Sequence, residues 1–350
     1  METKDIKVVI YEPEILFWGV AAGFHGYAIE FINQYADCIY LNKRRIGKDL
    51  GYKVQLWKMG IKRHIRFIHS LEMAPDFKNV LIGFTVPLDD DDEILKFKGK
   101  KYFHLMDYYL FVSRNQIFLK KYGIDKVIGH TQMDINCDFF KKYYPEYIGK
   151  VISLPFGYQS RFKCKTPFNE RKNIAVGLGS INPVNDPLLE EYAKKEFLEY
   201  YKNDMFMHPL RRFIQINEEY FNKVVDVRFP TSDKQKDFSY DAVKMLNNYK
   251  MFINDAGLAN FPPARTYEGI ACGCVMVAED NEIYRELGFI PNVNYIAFEK
   301  NNYEQLKERI FYYQKHEDEL SKMQEKSLQL SKKYVHSKIA DDLYKILCDE

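Results

Sequence analysis

The sequence predicts an α/β protein built from two doubly wound domains in tandem. Three observations predict it. A chain of 350 residues exceeds one ordinary core and is long enough for two domains. Short β-rich runs alternate with helix-period patterns, as in parallel sheets covered by helices on both faces. That alternation halts at a polar, basic stretch near the middle and then restarts.

In the first half "IKVVIY" (6–11), "CIYL" (38–41), "NVLIGF" (79–84), "KYFHLM" (101–106) and "KVIGH" (126–130) read as strands. Between them "HGYAIEFINQYA" (25–36) and "NCDFFKKYYPEY" (136–147) carry helical periodicity. "KVISLPFGYQSRFKCKTPFNERK" (150–172) supplies a strand, a Pro-Phe-Gly turn and the basic stretch that marks the boundary. The second half resumes with "NIAVGLGS" (173–180), "VVDVRF" (224–229), "KMFIND" (250–255), "CVMVA" (274–278) and "NYIAF" (294–298), and becomes helical and charged after residue 302. The expected organisation is a first Rossmann-like domain over 1–160, a linker over 161–172, a second Rossmann-like domain over 173–330 and a C-terminal helix over 331–350. For that last helix, a return to the first domain is one expectation. The acidic "DDDDE" (89–93) reads as a solvated loop.

Composition narrows the function. With 46% hydrophobic and 29% charged residues the chain is globular, and it has no run of about 18 uncharged apolar residues that would span a bilayer. Its start, "METKDIKVVIYEPE", lacks the pattern of a secretory signal, so a cytoplasmic location is expected. Six scattered cysteines without a CxxC pair indicate reduced thiols. The net charge of +2 conceals a basic first half: up to Lys165 there are 26 Lys and Arg against 19 Asp and Glu. Basic residues alternate with aromatics in "IKRHIRFIH" (61–69) and "KFKGKKYF" (96–103), which suits either a solvated face or peripheral contact with an anionic membrane. No nucleic-acid recognition motif accompanies the charge. A P-loop and a GxGxxG fingerprint are absent, so no dinucleotide cofactor is expected. Neither is a metal site.

The informative stretch is "ARTYEGIACGCVMVAEDNEIYREL" (264–287). Pro262 and Pro263 suit a first helical turn, and Gly273 ends a short helix of about Ala264 to Cys272. That helix begins beyond the carboxyl end of a strand, where open α/β sheets place ligands, and its free N–H groups favour a diphosphate. Arg265 offers a bidentate phosphate donor, and Glu268 an acceptor for the two hydroxyls of a ribose. The bland alternative is an exposed i, i+3 ion pair, worth about 0.2–0.5 kcal/mol.

This stretch, with "NVNYIAFEKNNYEQLKERI" after it, resembles the C-terminal donor half of GT-B glycosyltransferases of group 1, the GT4-like and CgeB-like enzymes. A weaker likeness extends to "YYLFVSRNQIFLKKYGIDKV" and "KVISLPFGYQSRF". The resemblance implies two Rossmann-like domains facing each other across a cleft, and metal-independent transfer of a sugar from a UDP- or GDP-sugar to a glycan or lipid-linked glycan. It places Glu268 at the ribose-binding carboxylate of the E-x7-E motif. Asn260 stands where the family's first Glu contacts the donor sugar, a departure that leaves retaining and inverting chemistry both open. Thr266, Gly179, Ser180 and Arg228 are further donor-side candidates. On the acceptor side the resemblance implies a His base after the first strand. His25 fits it, because an imidazole near neutral pKa can accept the proton of an attacking hydroxyl. His130 is the rival, and Asp107 a candidate to orient either imidazole or to bind acceptor. Competing readings are an exostosin-like or fucosyltransferase-like enzyme, and a catalytically silent protein of the same fold that binds nucleotide or glycan.

Overall fold

The computed structural model describes residues 6–17, 26–42, 49–73, 78–179, 181, 191–202, 206–229 and 241–350. The chain divides into two compact units, Met1–Phe156 with His336–Glu350, and Gly157–Val335. Every strand pair in both sheets is parallel.

The first unit holds a seven-stranded sheet. Its strands are β1 (Lys7–Tyr11), β2 (Ala36–Tyr40), β3 (Arg66–Ile68), β4 (Asn79–Gly83), β5 (Lys100–His104), β6 (Lys126–Gly129) and β7 (Val151–Ser153), in the order β3-β2-β1-β4-β5-β6-β7. The order reverses between β1 and β4. Central strands with both faces covered need continuous apolar runs, and Val8, Val9, Ile10, Val80, Leu81 and Ile82 are all buried. β3 hides in the sequence within a stretch that reads as a basic surface: only Ile68 of its three residues is buried, as suits a short edge strand. The expected helix over 136–147 is broken. Cys137 is extended between Met133–Asn136 and Asp138–Tyr143, and Pro145 opens a separate turn. The C-terminal helix His336–Asp349 belongs to this unit, where Tyr344 stacks on Tyr35 at 4.1 Å and Asp341 accepts from the Tyr35 hydroxyl.

The acidic run is not a solvated loop. Asp91 is buried and accepts from the hydroxyls of Tyr11 and Tyr40, while Glu93, also buried, accepts from Ser70 and pairs with Lys96. Lys96 is thereby held internally, as are Lys100 on the Glu350 carbonyl and Lys101 on the Tyr122 carbonyl.

The second unit holds five strands, β8 (Lys172–Leu178), β9 (Val225–Arg228), β10 (Tyr249–Ile253), β11 (Val275–Glu279) and β12 (Ile296–Phe298), in the order β12-β11-β10-β8-β9. Here the reversal falls between β8 and β10. Ile253 of β10 pairs with Gly177 of β8 and Val277 of β11, so all three strands end side by side. An aliphatic core of Ala175, Met251, Ile253, Val275, Val277 and Ile296 is covered by Leu306, Ile310 and Leu320 from the late helices. Among the described residues no helix is long and apolar enough to cross a membrane.

Candidate functional site

Open parallel sheets bind ligands outside the carboxyl ends of strands at a reversal of strand order. In the second unit that point lies beyond Leu178 and Ile253, and two groups of buried polar residues follow these strands.

The helix Ala264–Ala271 is pinned close to β10 by its small residues. Gly269 lies against Phe252 so tightly that a Cβ would stand 2.4 Å from that ring. Thr266 is fully buried and accepts from Asn254 Nδ2 at 2.9 Å, and the same amide donates to the Tyr284 hydroxyl. This corrects the expectation for Thr266: its side chain fastens the helix to the strand and does not face a ligand. At the other end Gly273, at φ 72, closes the helix, and buried Arg171 donates to the Cys272 and Gly273 carbonyls. That satisfies helix-end acceptors which otherwise have no partner.

The head of this rigid helix carries Arg265 and Glu268. Their side chains are only 17% and 8% exposed, with Nη1 3.1 Å from Oε2. The exposed-pair alternative is therefore excluded. Neither atom makes a well-directed hydrogen bond to a described group, and Arg265 Nε is likewise open. Burial raises the Glu268 pKa above its ordinary value, against the lowering charges of Arg265 and Arg161. A buried carboxylate with an open lone pair, beside a guanidinium with open N–H groups, is costly. Ligand hydroxyls and phosphate oxygens would satisfy both.

Against the end of β8 lies a further buried arginine, which the sequence reading missed. Arg211 is buried in the first turn of the helix Pro209–Ile216, against Gly179 at the end of β8. Gly179 has φ 107, and a Cβ there would stand 2.6 Å from Arg211 Nη1. Only glycine allows that approach. Asp255, just past β10, accepts from the backbone N–H groups of Arg211 and Gly257. Burial raises its pKa, and Arg211 opposes the rise. His208 Nδ1 lies 4.0 Å from Asp255, and burial followed by the Arg211 charge holds this imidazole well below its usual pKa, so it is neutral. With His208 neutral and Asp255 already accepting from the Arg211 backbone N–H, the Arg211 guanidinium is the positive group at this helix start. The available signal was "HPLRRF", a Pro-headed helix with Arg in its first turn, the pattern that "PPAR" repeats at Arg265.

The remaining donor-side candidates separate. Asn260 sits in the loop after β10 at φ 51, a left-handed position that Asn tolerates, and its Oδ1 accepts from Asn281 Nδ2 at 2.6 Å. Asn281 in turn caps the helix Glu282–Glu286. Arg228 ends the edge strand β9, exposed and paired with Asp226 at 3.1 Å, so it is a surface charge in this unit and not part of the buried set. Ser180 lies outside the described residues.

In the first unit His25 also lies outside them. His130 follows β6, buried, with its ring stacked 3.6 Å from Phe156 and edge-on to His104 at 4.6 Å. His104 Nδ1 meets the Tyr27 hydroxyl at 2.9 Å, and burial lowers its pKa to about 3. Burial likewise lowers that of His336 to about 4, though the Phe156 backbone opposes it. Asp107 bonds a tyrosine and not His130. It stands at φ 45 and accepts from the Tyr109 hydroxyl at 3.2 Å, with its pKa raised by burial. Among the described residues no group of three or more His, Cys, Asp or Glu is set to hold a metal ion.

Comparison with known proteins agrees with this geometry. Residues 206–343, which include Arg211, Arg265 and Glu268, match the family described as glycosyl transferase-like. HepE of Anabaena, solved with UDP, superposes with a TM-score of 0.58 at 10% identity, covering 99% of this chain and 100% of that one. The same protein with UDP-glucose gives 0.56 at 11% identity, with coverage of 99% and 100%. A glycosyltransferase from Rickettsia africae gives 0.52 at 12% identity, with 99% of each chain covered. No curated protein sequence matches. The chain thus has the two-unit GT-B fold and carries a glycosyl transferase-like segment over 206–343, most of it in the second unit.

Proposed function

We propose that this GT-B chain is a glycosyltransferase that moves a sugar from a UDP-sugar to a glycan or lipid-linked glycan acceptor. One observation carries the reading: the buried Glu268 carboxylate, with an open oxygen beside Arg265, at the head of a pinned helix just beyond a strand reversal. Glu268 takes both ribose hydroxyls. The guanidinium groups of Arg265 and Arg211 and the N–H groups at the start of the helix Ala264–Ala271 take the diphosphate. As the glycosidic bond breaks, negative charge grows on that diphosphate, and preorganised cations and dipoles stabilise it without a divalent ion. UDP as the nucleotide is supported by HepE, which was solved with UDP and with UDP-glucose.

The acceptor is met by the first unit. His25 is proposed as the base that removes its proton; His130, packed between Phe156 and His104, serves the core instead. Peripheral contact with an anionic membrane is proposed through exposed Lys62, Arg63 and Arg66 around β3, together with Lys98. Incubation with a panel of UDP- and GDP-sugars, reading free nucleotide and product, tests the reading. Release of UDP from at least one UDP-sugar supports it, whereas nucleotide binding without release identifies a silent binder.

A further inference from the structure

The first unit has a cavity of about 310 Å³ that the proposed chemistry does not use. It lies between the helix Val112–Lys121 and the segment 143–147. Its floor is aromatic. Tyr144 and Tyr147 are buried with their hydroxyls turned away, onto the Tyr108 and Ile124 carbonyls, so the cavity meets ring carbon and not oxygen. Ile117, 66% exposed, adds apolar surface at the mouth. The rim is polar and mixed in sign: Gln116 donates to the Tyr143 carbonyl, while Lys120 offers a donor and Glu146 an acceptor that no described side chain engages.

Position separates this cavity from the transfer chemistry. Ile124, which anchors Tyr147, precedes β6, whereas His104 and His130 mark the edge where β5 and β6 end. The two edges are one strand apart, about 15 Å, and ligands that react in such sheets lie at the carboxyl edge.

We infer that this cavity is an accessory carbohydrate subsite, holding unreacting sugar rings of a glycan chain through an aromatic floor and the Lys120 and Glu146 rim. A pyranose presents an apolar face of C–H groups and a girdle of hydroxyls that both donate and accept. It therefore matches a floor of ring carbon inside a rim that offers both donors and acceptors, the usual composition of a small-molecule pocket. An anionic headgroup would meet the Glu146 carboxylate. An acyl chain would strip water from Lys120 and Glu146 without replacing it. The volume is within the range of small-molecule pockets, about 300–1,000 Å³, and takes about one or two rings. The inference deepens the proposed function by assigning the acceptor side a glycan long enough to reach a second contact.

The test uses the whole chain with maltohexaose, cellohexaose and chitohexaose, read by saturation-transfer NMR, with UDP affinity measured alongside. At least one hexasaccharide is expected to bind with Kd near 1 mM. The double variant Lys120→Ala with Glu146→Ala removes only exposed rim groups and should weaken that binding about tenfold with UDP affinity unchanged. Tyr143→Ala, which removes a third aromatic ring from the lining, should weaken it as well. The inference is overturned if none of the three binds, if the rim variant leaves binding unchanged, or if that variant instead strengthens an apolar ligand such as octyl glucoside through its chain. UDP binding without hexasaccharide binding refutes the subsite alone; hexasaccharide binding without UDP binding refutes the proposed transferase alone.

Discussion

Substituting Glu268→Gln keeps the side-chain shape while removing one acceptor and the charge. If the carboxylate holds both ribose hydroxyls, two charge-assisted hydrogen bonds are weakened, each worth about 1.5–3 kcal/mol. One acceptor survives, so the expected loss is about 2–3 kcal/mol, or roughly 30- to 150-fold in UDP affinity at about 1.4 kcal/mol per factor of ten. A merely structural pair would change UDP affinity less than about twofold. The fold should tolerate the change, because burial already raises the Glu268 pKa and ionised Glu268 is incompletely compensated by Arg265. The melting temperature of the free protein should move by no more than about 3 °C. Calorimetric titration with UDP and 2′-deoxy-UDP gives the answer. The native protein should prefer UDP by about tenfold or more, and the variant should lose that preference. If both proteins discriminate the two nucleotides equally, Glu268 does not contact the ribose and the site has been misread.

Four further outcomes are expected. Gly179→Ala, forced into φ 107 with its Cβ 2.6 Å from Arg211, should cost about 1–3 kcal/mol of stability and weaken UDP binding by displacing the guanidinium; a silent substitution in melting and titration would remove Arg211 from the phosphate site. His25→Ala should lower turnover about 10²–10⁴-fold with UDP affinity unchanged, and a normal rate in an initial-velocity assay would exclude it as base. The folded-state pKa values of His104 and His336, about 3 and about 4, lie below the unfolded 6.5. The unfolded chain thus binds protons first on acidification, so stability is intact above pH 6.5 and is lost as pH falls toward 4. At pH 5 the loss is about 2 kcal/mol for each imidazole, measurable by urea unfolding followed through the two tryptophans, which both lie in the first unit; equal stability at pH 7 and pH 5 would contradict it. Finally, neutralising Lys62, Arg63 and Arg66 should abolish low-salt sedimentation with anionic vesicles, at about 1 kcal/mol per cation, and sedimentation indifferent to these changes would exclude that face.

What was legible in the sequence follows from how locally each feature is encoded. Central strands such as β1, β4, β10 and β11 announce themselves because both faces are buried and the residues form apolar runs. The helix head at Arg265 is equally local, fixed by Pro262, Pro263 and Gly273. The edge strand β3 carries Arg and Phe on a half-exposed ribbon and so reads as surface. The acidic run deceived for the converse reason: Asp91 is buried by Tyr11 and Tyr40, residues that local reading cannot bring to it. Arg211 has only the weak Pro-headed signal of "HPLRRF", since its place beside Gly179 is created by the reversal of strand order between β8 and β10. Thr266 shows the limit from the other side. Helical spacing places it next to Arg265, but only the position of Asn254 decides that its hydroxyl turns inward.

The central claim is that Glu268, Arg265 and Arg211 hold the nucleotide of a sugar donor so that the sugar can be transferred. Its most direct measurement is the release of UDP from UDP-sugars by the native protein and by Glu268→Gln, since transferases hydrolyse their donor slowly without acceptor. The account predicts slow UDP release from at least one UDP-sugar by the native protein and a severe reduction in the variant, with both proteins folded. Absence of UDP release and of UDP binding in the native protein, or equal release by the two, would contradict it.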